Sequence, residues 1–316
     1  MPELPAAKDM LYAVCVVFNP YQYKSRYARY REFAPHIEQS GAKLLTVEIA
    51  FNERPYEVTT AGNPWNLQLR TDTEMWFKEN GLNLGFQKLL ELVPDCRYIT
   101  WLDTDIKLSN PNWVKETITA LHHYCIVQPF SEAHNLNPKH ESMWSCPSIT
   151  KKFLDRGYHQ EPELPLSYSS NGHPGLAWAA RRETLDQLGG LIDFCIAGSA
   201  DTHMCNALRG DIHLNMRPGM SPGFRRALER WQERCDEYVK ENIGYVNGIC
   251  YHYWHGRSES RGYDRRWNIT NYHKFDPNED IYRGLNGLYR FKWGKHKLIH
   301  DLRRSMSERN EDGIDL

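Results

Sequence analysis

An unbroken apolar run from Leu11 to Phe18 constrains this chain more than any other stretch. A strand buried on both faces reads this way, whereas a half-exposed strand alternates. Asn19-Pro20 ends the run. Lys24 to Ser40 then carries Tyr27, Tyr30, Phe33 (or Ala34) and Ile37 roughly along one helical face, with Gly41 just past the end. Leu44 to Phe51 is a second strand. The chain therefore opens β-α-β, which requires a parallel pair and a right-handed crossover.

The alternation continues. Thr73 to Leu92 is helical, with Trp76, Leu82, Phe86, Leu89 and Leu90 at helical spacing and Gly81 as an interruption. Arg97 to Leu102 is a strand, Asn110-Pro111 opens a helix to about Leu121, and Tyr124 to Gln128 returns as a strand. From Ser131 to Ser170 the pattern dissolves into Pro, Ser, His and Asn, with one helical patch at Ile149 to Arg156. A long irregular segment of this kind is usually functional or mobile. Regularity resumes at Gly175 to Ala180, followed by a helix from Glu183 to Leu188. Further helices start near Ala200 and cover Gly223 to Glu241, and Tyr245 to Tyr253 is a last strand. The expected fold class is α/β, a mixed and mainly parallel sheet flanked by helices over residues 1–255. Residues 256–316 follow as an Arg-rich loop and a helical extension.

The 316 residues carry a net charge of −1, which argues against a general polyanion binder. Cations do bunch locally, at Arg257, Arg261, Arg265 and Arg266, and again at Arg290, Lys292, Lys295, Lys297, Arg303 and Arg304. Eight scattered cysteines have no metal-ligand spacing and read as reduced thiols. Met1-Pro2-Glu3-Leu4 has neither a basic nor an apolar leader segment, and no run is long enough to span a bilayer. The expectation is a cytoplasmic protein without a membrane partner.

Four constellations carry chemistry. The strand Tyr98 to Leu102 delivers Asp103-Thr104-Asp105 to its C-terminal edge, where two carboxylates can hold a hard divalent cation against a diphosphate. Strand ends also favour Asp simply because it bonds nearby backbone amides. In Tyr251-His252-Tyr253-Trp254-His255-Gly256, one of the two histidines can complete a metal site, or both can be structural. Arg257, Arg261 and Arg265 follow, as bidentate phosphate binders or as a solvated basic loop. Asp201, in Gly198-Ser199-Ala200-Asp201 ahead of a helix, is either an N-cap or a general base.

These four elements, in this order, resemble the GT-A glycosyltransferases, close to the large inverting family-two-like group. The resemblance implies a Rossmann-like fold. It implies that Asp103, Asp105 and His255 or His252 hold Mn²⁺ or Mg²⁺ on a nucleoside diphosphate sugar, with a UDP-sugar expected. Asp201 would then be the base, although the family more often has Glu-Asp where this chain has Ala200-Asp201. Gly172-His173-Pro174-Gly175-Leu176-Ala177-Trp178 resembles the segment that precedes that base, which puts His173 and Trp178 on the acceptor side. Arg257, Arg261 and Arg265 would assist the diphosphate.

Phe18-Asn19-Pro20, Trp76-Phe77-Lys78-Glu79, Phe275-Asp276-Pro277 and Arg309-Asn310-Glu311-Asp312 extend a likeness to predicted glycosyltransferases of bacteriophages and bacteria. By it, Asn19 with Tyr21 or Arg26 sits at the nucleotide base and Lys78 near the ribose or phosphates. Some phage relatives of this broad type modify hydroxymethylated pyrimidines in DNA, in the host cytoplasm. The expected acceptor is such a base, with a glycan or small molecule as the alternative. The Ser131 to Ser170 insert would be the acceptor-side element. A sugar nucleotidyltransferase would instead carry a Gly-rich loop where this chain has Phe18-Asn19-Pro20-Tyr21. A non-catalytic binding module would not need the intact set of Asp, His and Arg.

Overall fold

The computed structural model describes residues 9–156, 171–257, 260 and 262–313, without the side chains of residues 215 and 263–265. The chain runs β1 (Leu11–Phe18), α1 (Lys24–Gln39), β2 (Lys43–Phe51), β3 (Asn66–Thr71), α2 (Lys78–Leu92), β4 (Tyr98–Leu102) and β5 (Ile106–Leu108). Then come α3 (Trp113–Leu121), β6 (Ile126–Gln128), β7 (Glu132–Leu136), β8 (Ser142–Pro147), α4 (Ile149–Arg156), β9 (Ala177–Arg181), α5 (Arg182–Leu188), α6 (Ala200–Leu208) and α7 (Pro222–Arg234). Last are β10 (Ile243–Tyr245), β11 (Ile249–His252), α8 (Tyr263–Tyr272), α9 (Pro277–Asp280), β12 (Ile281–Arg283), β13 (Tyr289–Phe291) and α10 (His296–Ser307).

The central sheet has the order β10-β6-β9-β4-β1-β2-β3. β1 runs parallel to β2 and to β4, β2 parallel to β3, and β6 parallel to β10. β9 runs antiparallel between β4 and β6. The expected α/β class, a mainly parallel sheet flanked by helices, is the observed one. β1 is apolar throughout because both its faces are covered. Tyr12, Val14 and Phe18 join the core on one side, and Leu11, Ala13, Cys15 and Val17 join the core on the other. Gly81 and Gly85, one turn apart on α2, let that helix lie close on the sheet. A Cβ at Gly85 would stand 2.5 Å from Val14 Cγ1, and one at Gly81 2.9 Å from Val16 Cγ2. The glycine that interrupts the helical pattern is thus required by packing.

Four segments depart from the sequence expectation. The irregular stretch after Ser131 begins with two strands, β7 and β8, which pair with β11 and β5 in a second sheet of order β5-β11-β7-β8. The stretch from 157 to 170 lies outside the described residues. The run from Tyr245 to Tyr253 is two strands in two sheets, redirected at Val246-Asn247-Gly248, where Gly248 has φ of 146°. The helix expected from Thr73 starts at Lys78, because the Trp76 N–H is taken by Ile196 O at 2.8 Å. β3 was not anticipated, since a half-exposed, polar edge strand has no apolar run to betray it.

The C-terminal segment, expected as mainly helical, also holds the β12–β13 hairpin. It packs back on the front of the molecule. Asn80 on α2 donates to Gly287 O at 3.2 Å and accepts from the Tyr289 N–H at 3.1 Å. All eight cysteines are free thiols and seven are buried. Among the described residues, no helix is long and apolar enough to cross a membrane.

Candidate active site

From β1 the chain builds outward through β2 and β3 on one side, then crosses to β4 on the other. Open α/β sheets bind ligands at such a switch point, at the carboxyl ends of the strands. A cleft open to solvent lies there. The ends of β1 (Phe18, Asn19) and β4 (Leu102 to Asp105) form its floor, the start of α2 (Lys78, Glu79) one wall, and Asp201, His252 and His255 another.

Asp105, His252 and His255 offer ligand atoms that lie within 4.8 Å of one another. Asp105 Oδ2 is 3.7 Å from His252 Nε2 and 3.6 Å from His255 Nδ1. β5 and β11 pair antiparallel with His252 opposite Ile106, which carries both elements to one place. His252 Nδ1 lies 2.8 Å from Asn135 Oδ1, an acceptor, so Nδ1 holds the proton and Nε2 is the ligating nitrogen. His255 Nδ1 lies 2.7 Å from Tyr253 O, which by the same logic makes Nε2 its lone-pair nitrogen. Both histidines, left as alternatives by the sequence, converge on Asp105.

Asp103 lines the same cleft and is engaged by a cation. Its Oδ1 sits 2.6 Å from Lys78 Nζ. Burial would lower the Lys78 pKa, but Asp103, Glu79 and Asp201 outweigh it and raise it, so the ammonium stays charged. One nitrogen-rich carboxylate–imidazole set and one lysine–carboxylate pair therefore share the cleft. Two imidazoles and a carboxylate fit a first-row divalent ion such as Mn²⁺ better than Mg²⁺, which favours an oxygen shell.

Asp201 lies in the first turn of α6, behind Ser199, which has φ of 72°. It is not the residue that caps the helix. Its Oδ1 accepts from the Thr202 N–H at 2.8 Å. Oδ2 approaches Gly175 so closely that a Cβ there would stand 2.6 Å away. Glu79 is a further acid, on the α2 wall, 4 % exposed. Burial, with Asp201 adding to it and Lys78 opposing, pushes its pKa up to about 7. The sequence listed Glu79 only within a motif, and its desolvation is a tertiary effect.

The other expected site residues are placed as follows. Asn19 lines the cleft but is engaged in the loop, its Nδ2 donating to Tyr23 O and its Oδ1 accepting from the Tyr23 N–H. Tyr21 also lines it, and its hydroxyl donates to Glu74 at 3.1 Å. Arg26 lines the cleft while bonding Phe18 O at 2.8 Å and Glu311 Oε1 at 2.7 Å. His173 is buried in the wall, its ring 6.1 Å from that of His252. Trp178 is in the core instead, opposite Trp101 on β4, with Nε1 donating to Pro174 O at 2.8 Å. Arg257 is exposed and away from the cleft wall. Arg261 and the side chain of Arg265 lie outside the described residues. Arg266 and Arg309 are the later arginines that do line the cleft.

The helix that carries Asp201 also carries His203, which is 1 % exposed, with its ring against Trp267 at 4.7 Å. Burial lowers its pKa from 6.5 to about 3. The native state thus keeps it neutral while the unfolded chain binds a proton below about pH 6.5. Stability is lost as pH falls from 6.5 toward 3, by about 2 kcal/mol at pH 5. His203→Leu should recover that difference, seen as a smaller gap between urea midpoints at pH 5 and pH 8.

No protein-family model matches the sequence, and no curated protein matches it. Among solved structures the chain is similar to the catalytic domain of Drosophila beta1,4galactosyltransferase 7 in complex with xylobiose. Identity is 15%, coverage 92% of this chain and 97% of that one, and the TM-score 0.38. A mutant of the same enzyme with manganese, UDP-Gal and xylobiose matches at 13% identity, the same coverage and TM-score 0.38. A glycosyltransferase involved in glycosylation of the major capsid of the virus PBCV-1 matches at 11% identity, 75% and 81% coverage, and TM-score 0.29. Likenesses at this level carry no argument about this chain's activity.

Proposed function

We propose that this chain is a metal-dependent glycosyltransferase that moves a sugar from a nucleoside diphosphate donor to an acceptor hydroxyl with inversion. The observation that carries it is the convergence of Asp105, His252 and His255 with Asp201 in one cleft at the sheet's switch point. A first-row divalent ion on Asp105, His252 and His255 would supply charge neutralisation to the departing diphosphate. Lys78 and the start of α2 lie where the same negative charge would build. Asp201 takes the proton of the acceptor hydroxyl as its oxygen bonds the anomeric carbon, and the bond from that carbon to the diphosphate oxygen breaks. Loop Asn19 to Tyr23, at the end of β1, takes the nucleotide side.

A DNA acceptor draws less support. Four of the six C-terminal cations that would meet phosphates are paired within the protein: Arg290 with Asp72 at 2.6 Å, Lys295 with Asp280 at 2.5 Å, Arg303 with Glu74 at 2.7 Å and Arg304 with Glu308 at 3.0 Å. Counterion release, the main source of nucleic-acid affinity, needs cations that are available.

The test is a donor screen by UDP or GDP release with Mn²⁺. Donor hydrolysis would also set aside a non-catalytic binding role. Asp105→Ala removes one of three ligands and should weaken Mn²⁺-dependent UDP binding by about 100-fold in calorimetry. Unchanged affinity would show the ion, if any, to be held elsewhere.

A further inference from the structure

The second sheet places an exposed tryptophan in line with the metal-ligand histidine. Ile106, His252, Asn135 and Trp144 are direct cross-strand partners on β5, β11, β7 and β8. Directly opposed residues share a face, and His252 and Asn135 confirm it by bonding through their side chains at 2.8 Å. Two residues back on the same face, Ala133 and Cys146 are buried at 0 % and 3 %. Along the row, exposure climbs from 1 % at Ile106 and 7 % at His252 to 38 % at Trp144. An indole in the same cross-strand row as the cleft-lining His252 is thus partly exposed. The ladder shifts register between Asn135 and Leu136, with Leu136 opposite Ser142, so Met143 is an extra residue next to Trp144. Bulges of this kind re-aim side chains beside functional sites.

We infer that Trp144 is a stacking platform for a saccharide acceptor, an inference that rests on the transferase reading above. Two strand spacings, about 10 Å, separate it from the His252 backbone. That is room for one sugar ring at the reacting hydroxyl and a second ring over the indole. The exposed stretch of β8, Ser142-Met143-Trp144-Ser145, bears no charge. A neutral apolar face suits the C–H surface of a pyranose and offers nothing to a phosphate backbone.

The test uses the full chain labelled with 5-fluorotryptophan and followed by ¹⁹F NMR with UDP and Mn²⁺ present. Trp144→Phe, or Trp144→Tyr should the first variant fold poorly, identifies the Trp144 resonance among the ten tryptophans. Methyl β-xylopyranoside, methyl β-glucopyranoside, xylobiose, lactose and a single-stranded oligothymidylate are the probes. The expected result is a shift of the Trp144 resonance with at least one saccharide and none with the oligonucleotide. A saccharide that shifts it should also show a KM about ten-fold higher in Trp144→Ala if it accepts sugar. A resonance unmoved by every saccharide, or moved equally by the oligonucleotide, overturns the platform. UDP release from a donor in the absence of acceptor reports on the transferase reading separately. A protein that releases UDP while Trp144 stays silent loses only the platform. One that binds saccharide at Trp144 but releases no UDP loses the transferase reading.

Discussion

Replacing Asp201 by Asn is expected to lower sugar transfer by about 10³-fold while leaving UDP binding in the presence of Mn²⁺ unchanged. The amide is nearly isosteric with the carboxylate. Its oxygen still accepts from the Thr202 N–H, the bond that Oδ1 makes at 2.8 Å, so the first turn of α6 keeps its geometry. What disappears is an oxygen able to receive a proton. The loss should fall on kcat, with donor KM little changed, because the interaction is made only as the acceptor oxygen attacks. Asp201 stands on a different element from the Asp105, His252 and His255 set, so the two functions separate cleanly by mutation. A variant that kept wild-type turnover would move the base elsewhere in the cleft. Glu79, buried, with a pKa pushed up to about 7, would be the next residue to test.

The parts of this site that are legible in one dimension are those whose chemistry is local. Asp105 lies three residues past the end of one apolar strand, His252 ends another and His255 follows three residues later, so residue type and strand position suffice to nominate them. Their partners are set by pairing between distant strands. Asn135, which orients His252, lies 117 residues away in a stretch whose composition hides its strand. The same limit applies to Asp103. Its proximity to Asp105 suggests a shared role, yet a strand end turns successive side chains differently, and Lys78 from the start of α2 captures it. Trp178 illustrates the converse. Aromatic character is ambiguous between stacking platform and core, and β9 lies in the middle of the sheet, between β4 and β6, with Trp178 buried there. The arginines were legible as a group but not individually. A helical turn places Arg266 in the cleft wall and leaves Arg257 outside it.

The longest-range of these couplings yields the second large effect. Glu311→Gln is expected to destabilise the protein by about 3–5 kcal/mol, the usual cost of breaking a buried ion pair from one side. Glu311 has a side-chain exposure of 1 % and is paired with Arg26, through Nε and Nη2 of its guanidinium, and with Arg309 at 2.7 Å. Arg309 lies over the Trp76 ring at 5.0 Å. Neighbouring residues extend the clamp. Asp312 accepts from the Lys24 and Ser25 N–H groups at the start of α1, at 2.9 and 2.8 Å, where the helix dipole favours a carboxylate. Gly313 O accepts from Trp254 Nε1 at 2.7 Å, one residue from His255. The tail therefore ties the end of β1 and the start of α1 to the loop that carries His255. Burial works against the Glu311 carboxylate, but Arg26 and Arg309 more than compensate and hold its pKa well below the usual carboxylate range. Its contribution is fully present above the unfolded value of about 4.5 and is lost as pH falls below it. Wild type should then lose stability more steeply than Glu311→Gln between pH 4.5 and pH 3, and the two should converge toward acid. Urea midpoints across that range measure it directly. The same variant should raise the KM for donor and the Mn²⁺ concentration needed for half-maximal rate together, because one clamp steadies both loops. Parallel pH curves for the two proteins would mean that Glu311 ionises in the fold much as it does in the open chain.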